Sequence, residues 1–214
     1  MVCHLYLWEA ASRSRTTRRS RARVRDREIV HARSRMRDPE RSHSSYAPGD
    51  HHRTWLLHLL EEEQGLGDGH RVLDIGCAKG FLLHDLRQEV RGLTVVGLDI
   101  SPYALTHAMD DVRSFVVQGT AQALPFCDRS FDLVVAINTL HNLDRPACIE
   151  ALGEIERVSR GGRYVQVDSW FNDQQRESLM KWLLTALTFC EPEGWRRLFA
   201  EAGYTGDYYW TITD

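Results

Sequence analysis

The feature that most constrains this chain is the run VLDIGCAKG, Val72 to Gly80, where an apolar stretch of strand length passes directly into two glycines separated by three residues. A buried strand that turns at once into a helix needs backbone freedom at the turn, and glycine supplies it. The run VVGLDIS, Val95 to Ser101, has a similar plan: an apolar strand closed by an acid, Asp99, 25 residues after Asp74. Further along, segments 71–74, 94–99, 115–118, 131–137 and 163–168 read as strands, the last following a turn at Gly161-Gly162. Segments 81–90, 103–109 and 145–158 read as helices, the second opened by Ser101-Pro102. Strands alternating with helices imply parallel pairing through right-handed crossovers with helices on both faces, a doubly wound α/β sheet.

The 214 residues suit one domain. With 43% hydrophobic and 27% charged residues the composition is that of a globular protein, and no apolar run approaches the roughly 20 residues of a spanning helix. Five scattered cysteines without a CxxC pair, and a start too short and polar for a secretory signal, lead us to expect a cytoplasmic protein. Charge divides the chain in two. Residues 13–41 carry twelve arginines against four acids, a charge of +8 that leaves −11 for the remainder of a chain whose net charge is −3. We therefore expect an Arg-rich arm over 1–43 without a fixed fold and a folded domain over 44–214. The arm reads as a polyanion-binding element, as a solvated tail, or as sequence preceding the true start; nucleic acid is not favoured as partner.

In a doubly wound sheet, ligands lie beyond the carboxyl ends of the strands, where strand order reverses. That rule selects the loops Gly76–Gly80, Asp99–Ser101, Gly119–Ala121 and Asn138–Asn142. A dinucleotide loop would need glycines where Ala78 and Phe81 stand, and no GK[ST] of a P-loop follows the turn. An acid closing the second strand suits ribose hydroxyls. The loop thus favours an adenosine-containing ligand over a pyrophosphate.

VLDIGCAKG, VVGLDIS, GTAQALPFCDRSFDLVVAINTLHNL and EIERVSRGGRYVQVDSW resemble, in order and spacing, the successive motifs of class I S-adenosylmethionine (SAM)-dependent methyltransferases. The resemblance covers roughly 71–214 and implies a mostly parallel seven-stranded sheet with an antiparallel C-terminal hairpin, and SAM as cofactor. It implies that Asp74, Gly76, Cys77, Ala78 and Gly80 hold the methionine end and Asp99 the ribose. Ile100 would pack on adenine, Thr120 and Ala121 would line its edge, and Asn138 would approach the methionine part. The sequence departs from many relatives at Ala78, where they have glycine, and at Thr120, where they have aspartate. Tyr204, Tyr208, Tyr209 and Trp210 would pack at a sheet edge.

Methyl transfer to oxygen or nitrogen is an in-line displacement, helped by a base when the acceptor carries a proton. His141, which titrates near neutrality when unperturbed, and Asp168 are the candidate bases. Asn142, Trp170 and Tyr46 are candidates for contact with the acceptor. Residues 171–191, with Leu179, Trp182, Leu183 and Leu187 at helical spacing, read as a helical cap over it. His51, His52 and Arg53 join Tyr46 as candidate pocket walls, ahead of a short helix from Trp55. No metal site is apparent, and the absence of an NPPY-like tetrad after the fourth strand argues against base-amine methylation. We expect a small-molecule acceptor, such as a sugar, amino sugar or natural-product intermediate, and a monomer or homodimer. An RNA or protein acceptor, or a SAM-binding scaffold without catalysis, are the alternatives.

Overall fold

The computed structural model describes residues 29–33, 66–181 and 183–213. Tyr46, His51, His52, Arg53, the helix expected from Trp55, and Trp182 lie outside the described residues. In chain order the elements are β1 (Ile29–Arg33), β2 (Arg71–Ile75), α1 (Phe81–Glu89), β3 (Thr94–Asp99), α2 (Pro102–Thr106), β4 (Val116–Gln118), β5 (Phe131–Ile137), α3 (Arg145–Val158), β6 (Ser159–Ser169), α4 (Asp173–Met180), α5 (Pro192–Glu201) and β7 (Asp207–Thr213). The sheet order is β1-β7-β6-β5-β2-β3-β4. All its pairings are parallel.

After β2 the chain steps outward through β3 to β4, then returns to the other side of β2 with β5 and continues through β6 to β7. Strand order therefore reverses between β2 and β5. Side chains alternate across the sheet as the two-residue period requires. Leu73, Val134, Val165 and Trp210 face a core completed by Leu152 and Ile155 of α3 and by Trp195 and Phe199 of α5. Val72, Val95, Val135 and Tyr209 face a second core completed by Leu82, Leu83 and Leu86 of α1. Helices thus cover both faces.

Punctuation in the sequence sets several ends. Ser101 caps α2 by accepting from the Ala104 N–H, and Asp144 caps α3 by accepting from Ala147, each with proline in the first turn. Asn172 caps α4 through the Gln175 N–H.

Three expectations are corrected. The antiparallel C-terminal hairpin is not formed: β7 runs parallel to β6, because the helical crossover α5 carries the chain back to the end of the sheet where β6 began. Gly161-Gly162 is not a turn but part of an eleven-residue β6. A Cβ at Gly161 would lie 2.2 Å from the Asp132 carbonyl oxygen, so this glycine permits close approach to β5 at an irregularity in their register. The helical spacing across 179–187 also fails, since α4 ends at Met180 and Leu187 is exposed. The aromatics of the tail pack, although β7 lies between β1 and β6 and is not the expected edge: Trp210 is fully buried, stacked on Phe199 at 6.0 Å and tilted against Tyr208 at 4.9 Å.

Candidate active site

The turn after β2 is fixed by three backbone contacts with the end of β3. The Gly76 and Cys77 N–H groups donate to the Leu98 carbonyl at 2.7 and 3.1 Å, and the Ala78 N–H donates to Asp99 Oδ2 at 2.8 Å. Gly76 and Gly80 have φ of 75° and 79°, left-handed conformations that glycine adopts without cost. Ala78 shares that conformation at φ 48°, so the residue departing from the family pattern holds glycine-like geometry against its own preference. Gly80 opens α1 without a side-chain cap, leaving the first amides of that helix to other partners.

Asp99 accepts one N–H on each oxygen, from Ala78 and from Ser101 at 2.9 Å. Each oxygen retains capacity for a further donor such as a ribose hydroxyl. Ile100, beside it, is 70% exposed, and an aliphatic side chain in that position is ready to be covered by a flat ring. Thr120 hydrogen-bonds Gln122 and pairs across the turn with Ala123, which fixes the loop carrying buried Ala121.

Across the reversal point, Asn138 follows β5 at φ 52°. Its side-chain Oδ1 is buried and has no hydrogen-bond partner among the described residues. A buried acceptor without a donor is costly unless a ligand satisfies it. Asp74 closes β2 only 4% exposed, and burial, aided by the Asp99 carboxylate, pushes its pKa up to about 7. The same burial raises the Cys77 thiol above its ordinary range, reinforced by Asp74 and then Asp99. Two carboxylates, an unpartnered amide oxygen and free helix amides suit a ligand carrying both ammonium and carboxylate groups. The residues present fit SAM.

Sequence reasoning did not identify Thr139. Its hydroxyl donates to the carbonyls of Ile75 and Ile137 at 3.0 and 3.1 Å, joining the ends of β2 and β5, and it lies where any Gly76 Cβ would be. Nothing local marks this threonine, because its role depends on strand order.

On the other side of Asn138, the polar candidates are brought together but are largely committed. His141 is 6% and Asp168 3% exposed, with His141 Nδ1 and Asp168 Oδ2 3.3 Å apart. Burial pushes the imidazole pKa down to about 4 despite that carboxylate, which favours the neutral ring. Asn142 donates to the Asn138 carbonyl at 3.2 Å and accepts from Thr185 at 2.7 Å. The His141 carbonyl accepts the Leu187 and Thr188 N–H groups at 2.9 and 3.0 Å. Trp170 is half-buried, with the Arg176 guanidinium 5.8 Å from its ring centroid, beside an open cavity of about 220 Å³ lined with Phe171, Glu191, Pro192, Glu193 and Arg196. Among the described residues there is no group of three or more His, Cys, Asp or Glu side chains able to hold a metal ion, and no helix long and apolar enough to cross a membrane.

Residues 72–162 match the family model described as a methyltransferase domain. An uncharacterized methyltransferase of Synechocystis is 38% identical over 109 residues, half of this chain and half of that protein. Sterol 24-C-methyltransferase of Schizosaccharomyces pombe is 31% identical over 129 residues, 56% of this chain and 33% of that protein. The chain thus spans half or less of the length of these relatives. Among solved structures, YcgJ of Bacillus subtilis superposes with a TM-score of 0.54 at 23% identity, over 72% of this chain and 68% of its own. The [4+2]-cyclase SpnF superposes with a TM-score of 0.55 at 24% identity, over 70% and 56% of the two chains. These likenesses between solved structures extend to the fold alone. The sequence match over residues 72–162, the sheet architecture and the glycine turn facing Asp99 agree in their similarity to class I SAM-dependent methyltransferases.

Proposed function

We propose that this protein transfers a methyl group from SAM to an oxygen or nitrogen of a small-molecule acceptor, such as a sugar, amino sugar or natural-product intermediate. The observation that carries the reading is the reversal point itself, where Asp74, the 76–80 turn, Asp99 and the unpartnered Asn138 Oδ1 converge. Asp74, Gly76, Cys77, Ala78, Gly80 and Asn138 would hold the methionine end, Asp99 the ribose, and Ile100, Thr120 and Ala121 the adenine. When bound, SAM supplies an electrophilic methyl group. The protein must then align the acceptor with it, and alignment alone can account for a large part of the rate.

His141 and Asp168 are proposed to lie beneath the acceptor. With a pKa of about 4, His141 serves better as a neutral hydrogen-bonding partner that orients a hydroxyl or amine than as a strong base. Trp170 would flank the acceptor, and Asn142 would act through the segment that it ties down. A second reading, a SAM-binding fold used for chemistry other than methyl transfer, is favoured by one observation: a cyclase shares this fold.

Calorimetric titration of SAM and S-adenosylhomocysteine into wild type and Asp99→Ala tests the site. We expect micromolar binding that weakens at least tenfold in the variant, about 1.4 kcal/mol. Absence of binding to wild type would remove the reading's main support.

A further inference from the structure

The segment after β6 is chemically unlike the rest of the surface. From Leu179 to Cys190 the sequence LMKWLLTALTFC contains one charge, Lys181. Packing does not account for that composition. Leu184 is 77% exposed and Leu187 67%, while Met180, Phe189 and, at the start of the segment, Phe171 are all exposed as well. Single exposed leucines are ordinary, but a run with a single charge that presents several large apolar side chains to solvent marks a surface that is covered in the working state.

Its attachment argues for what covers it. The segment is not a free loop, because Leu187 and Thr188 donate to the His141 carbonyl and Thr185 donates to Asn142. Those two residues follow Asn138 within a single 3-10 turn, and Asn142 in turn bonds the Asn138 carbonyl. The apolar run is therefore fastened to the same loop that carries the cofactor-facing amide. Its anchors, His141 and Asn142, stand three and four residues beyond Asn138. Small-molecule sites are lined mainly by apolar side chains with a few placed polar groups. Here His141 and Asp168 are polar groups beneath the strand ends, and the 183–190 run is the apolar wall.

We propose that the acceptor is a molecule with a large apolar body bearing a single polar nucleophile, seated against Leu184, Leu187 and Phe189. The inference rests on the methyltransferase reading and narrows it, favouring an apolar natural product over a free sugar. A sugar would leave these side chains wet, whereas an apolar body gains free energy in proportion to the apolar area that it covers.

The test uses the full chain saturated with S-adenosylhomocysteine and the neutral fluorophore Nile red. Wild type and Leu184→Asp/Leu187→Asp are compared, two exposed positions where charge does not threaten the core. The expected result has three parts: saturable Nile red binding by a monomeric wild type, displacement of the dye by a hydroxylated sterol but not by glucose, and at least tenfold weaker dye binding by the variant with unchanged S-adenosylhomocysteine affinity. Absence of saturable binding, displacement by glucose rather than sterol, or equal dye binding by the variant overturns the proposal. So does sedimentation showing a wild-type dimer that the two aspartates dissociate, since a second copy would then be what covers the run. Wild type that fails to bind S-adenosylhomocysteine overturns the methyltransferase reading itself, a result distinct from intact cofactor binding without a dye site.

Discussion

Asp74 combines two demands in one side chain. Its burial at the end of β2, next to Asp99, brings its pKa to about 7 against an ordinary 3.8, so the fold favours the protonated acid. The sign follows from linkage: a group whose folded pKa is raised contributes fully below its unfolded pKa, and that contribution is lost as pH rises through the folded value. Between about pH 4 and pH 7 the empty site therefore becomes progressively costlier, by up to about 4 kcal/mol at the standard 1.36 kcal/mol per unit. An ammonium-bearing ligand reverses this preference. Asp74→Asn should raise the melting temperature of the ligand-free protein most at pH 8 and by less than half as much at pH 5, while weakening S-adenosylhomocysteine binding at pH 8. Thermal melts at both pH values with and without ligand decide it, and an equal change at both would mean that Asp74 does not titrate in this window. The sequence disclosed Asp74 and Asp99 because each closes an apolar strand. It did not disclose Thr139, nor the low basicity of His141, since both arise from neighbours distant in the chain.

At the scale of elements, α3 ties the loop after β5 to the loop before it. It starts at Asp144 just after His141 and Asn142, and its last turn presents Arg157. That guanidinium donates to both Glu154 oxygens and to Asp128 at 2.7 Å, and to the carbonyls of Phe126 and Leu124 at 2.8 and 3.0 Å. Glu154 accepts the Leu124 N–H at 2.7 Å, so the loop following Thr120 and Ala121 is stapled to the helix. Arg157→Met leaves two carbonyls and two carboxylates short of a donor and should cost about 2 to 3 kcal/mol in urea denaturation. Lysine at that position should recover only part of it, having no planar fork. The same helix shows where sequence patterns suffice. Arg145–Val158, Thr94–Asp99 and Phe131–Ile137 were legible to the residue, bounded by the Asp144 cap, the terminal acid of VVGLD and the end of an apolar run. Gly161 was misread because a glycine needed for close approach looks the same in sequence as one needed for a turn. Leucines spaced from 179 to 187 imitated a helix because spacing predicts one only where a face is buried, and here Leu187 is not.

For the molecule as a whole, the order of strands mattered more than their number. The doubly wound architecture followed from alternation, but the partner of β7 did not. Pairing of Ile29–Arg33 with Tyr209–Thr213 places part of a basic stretch against the last strand, a long-range contact. Removing residues 1–34 should leave β7 with an unpaired edge, a template for association with other chains. We expect concentration-dependent self-association of the truncated protein in sedimentation velocity, with S-adenosylhomocysteine affinity retained because the reversal point lies on the far side of β6.

The two ends of the segment between β6 and α5 meet. The Ser169 hydroxyl donates to the Cys190 carbonyl at 2.9 Å, and the Trp195 indole donates to the Asp168 carbonyl at 3.1 Å, so the chain leaves and re-enters the domain at one fixed doorway. A loop closed at its base costs little more when lengthened, about 0.6 kcal/mol for each doubling. The stretch between these anchors can therefore change in length while the strand and helix on either side of it stay where they are.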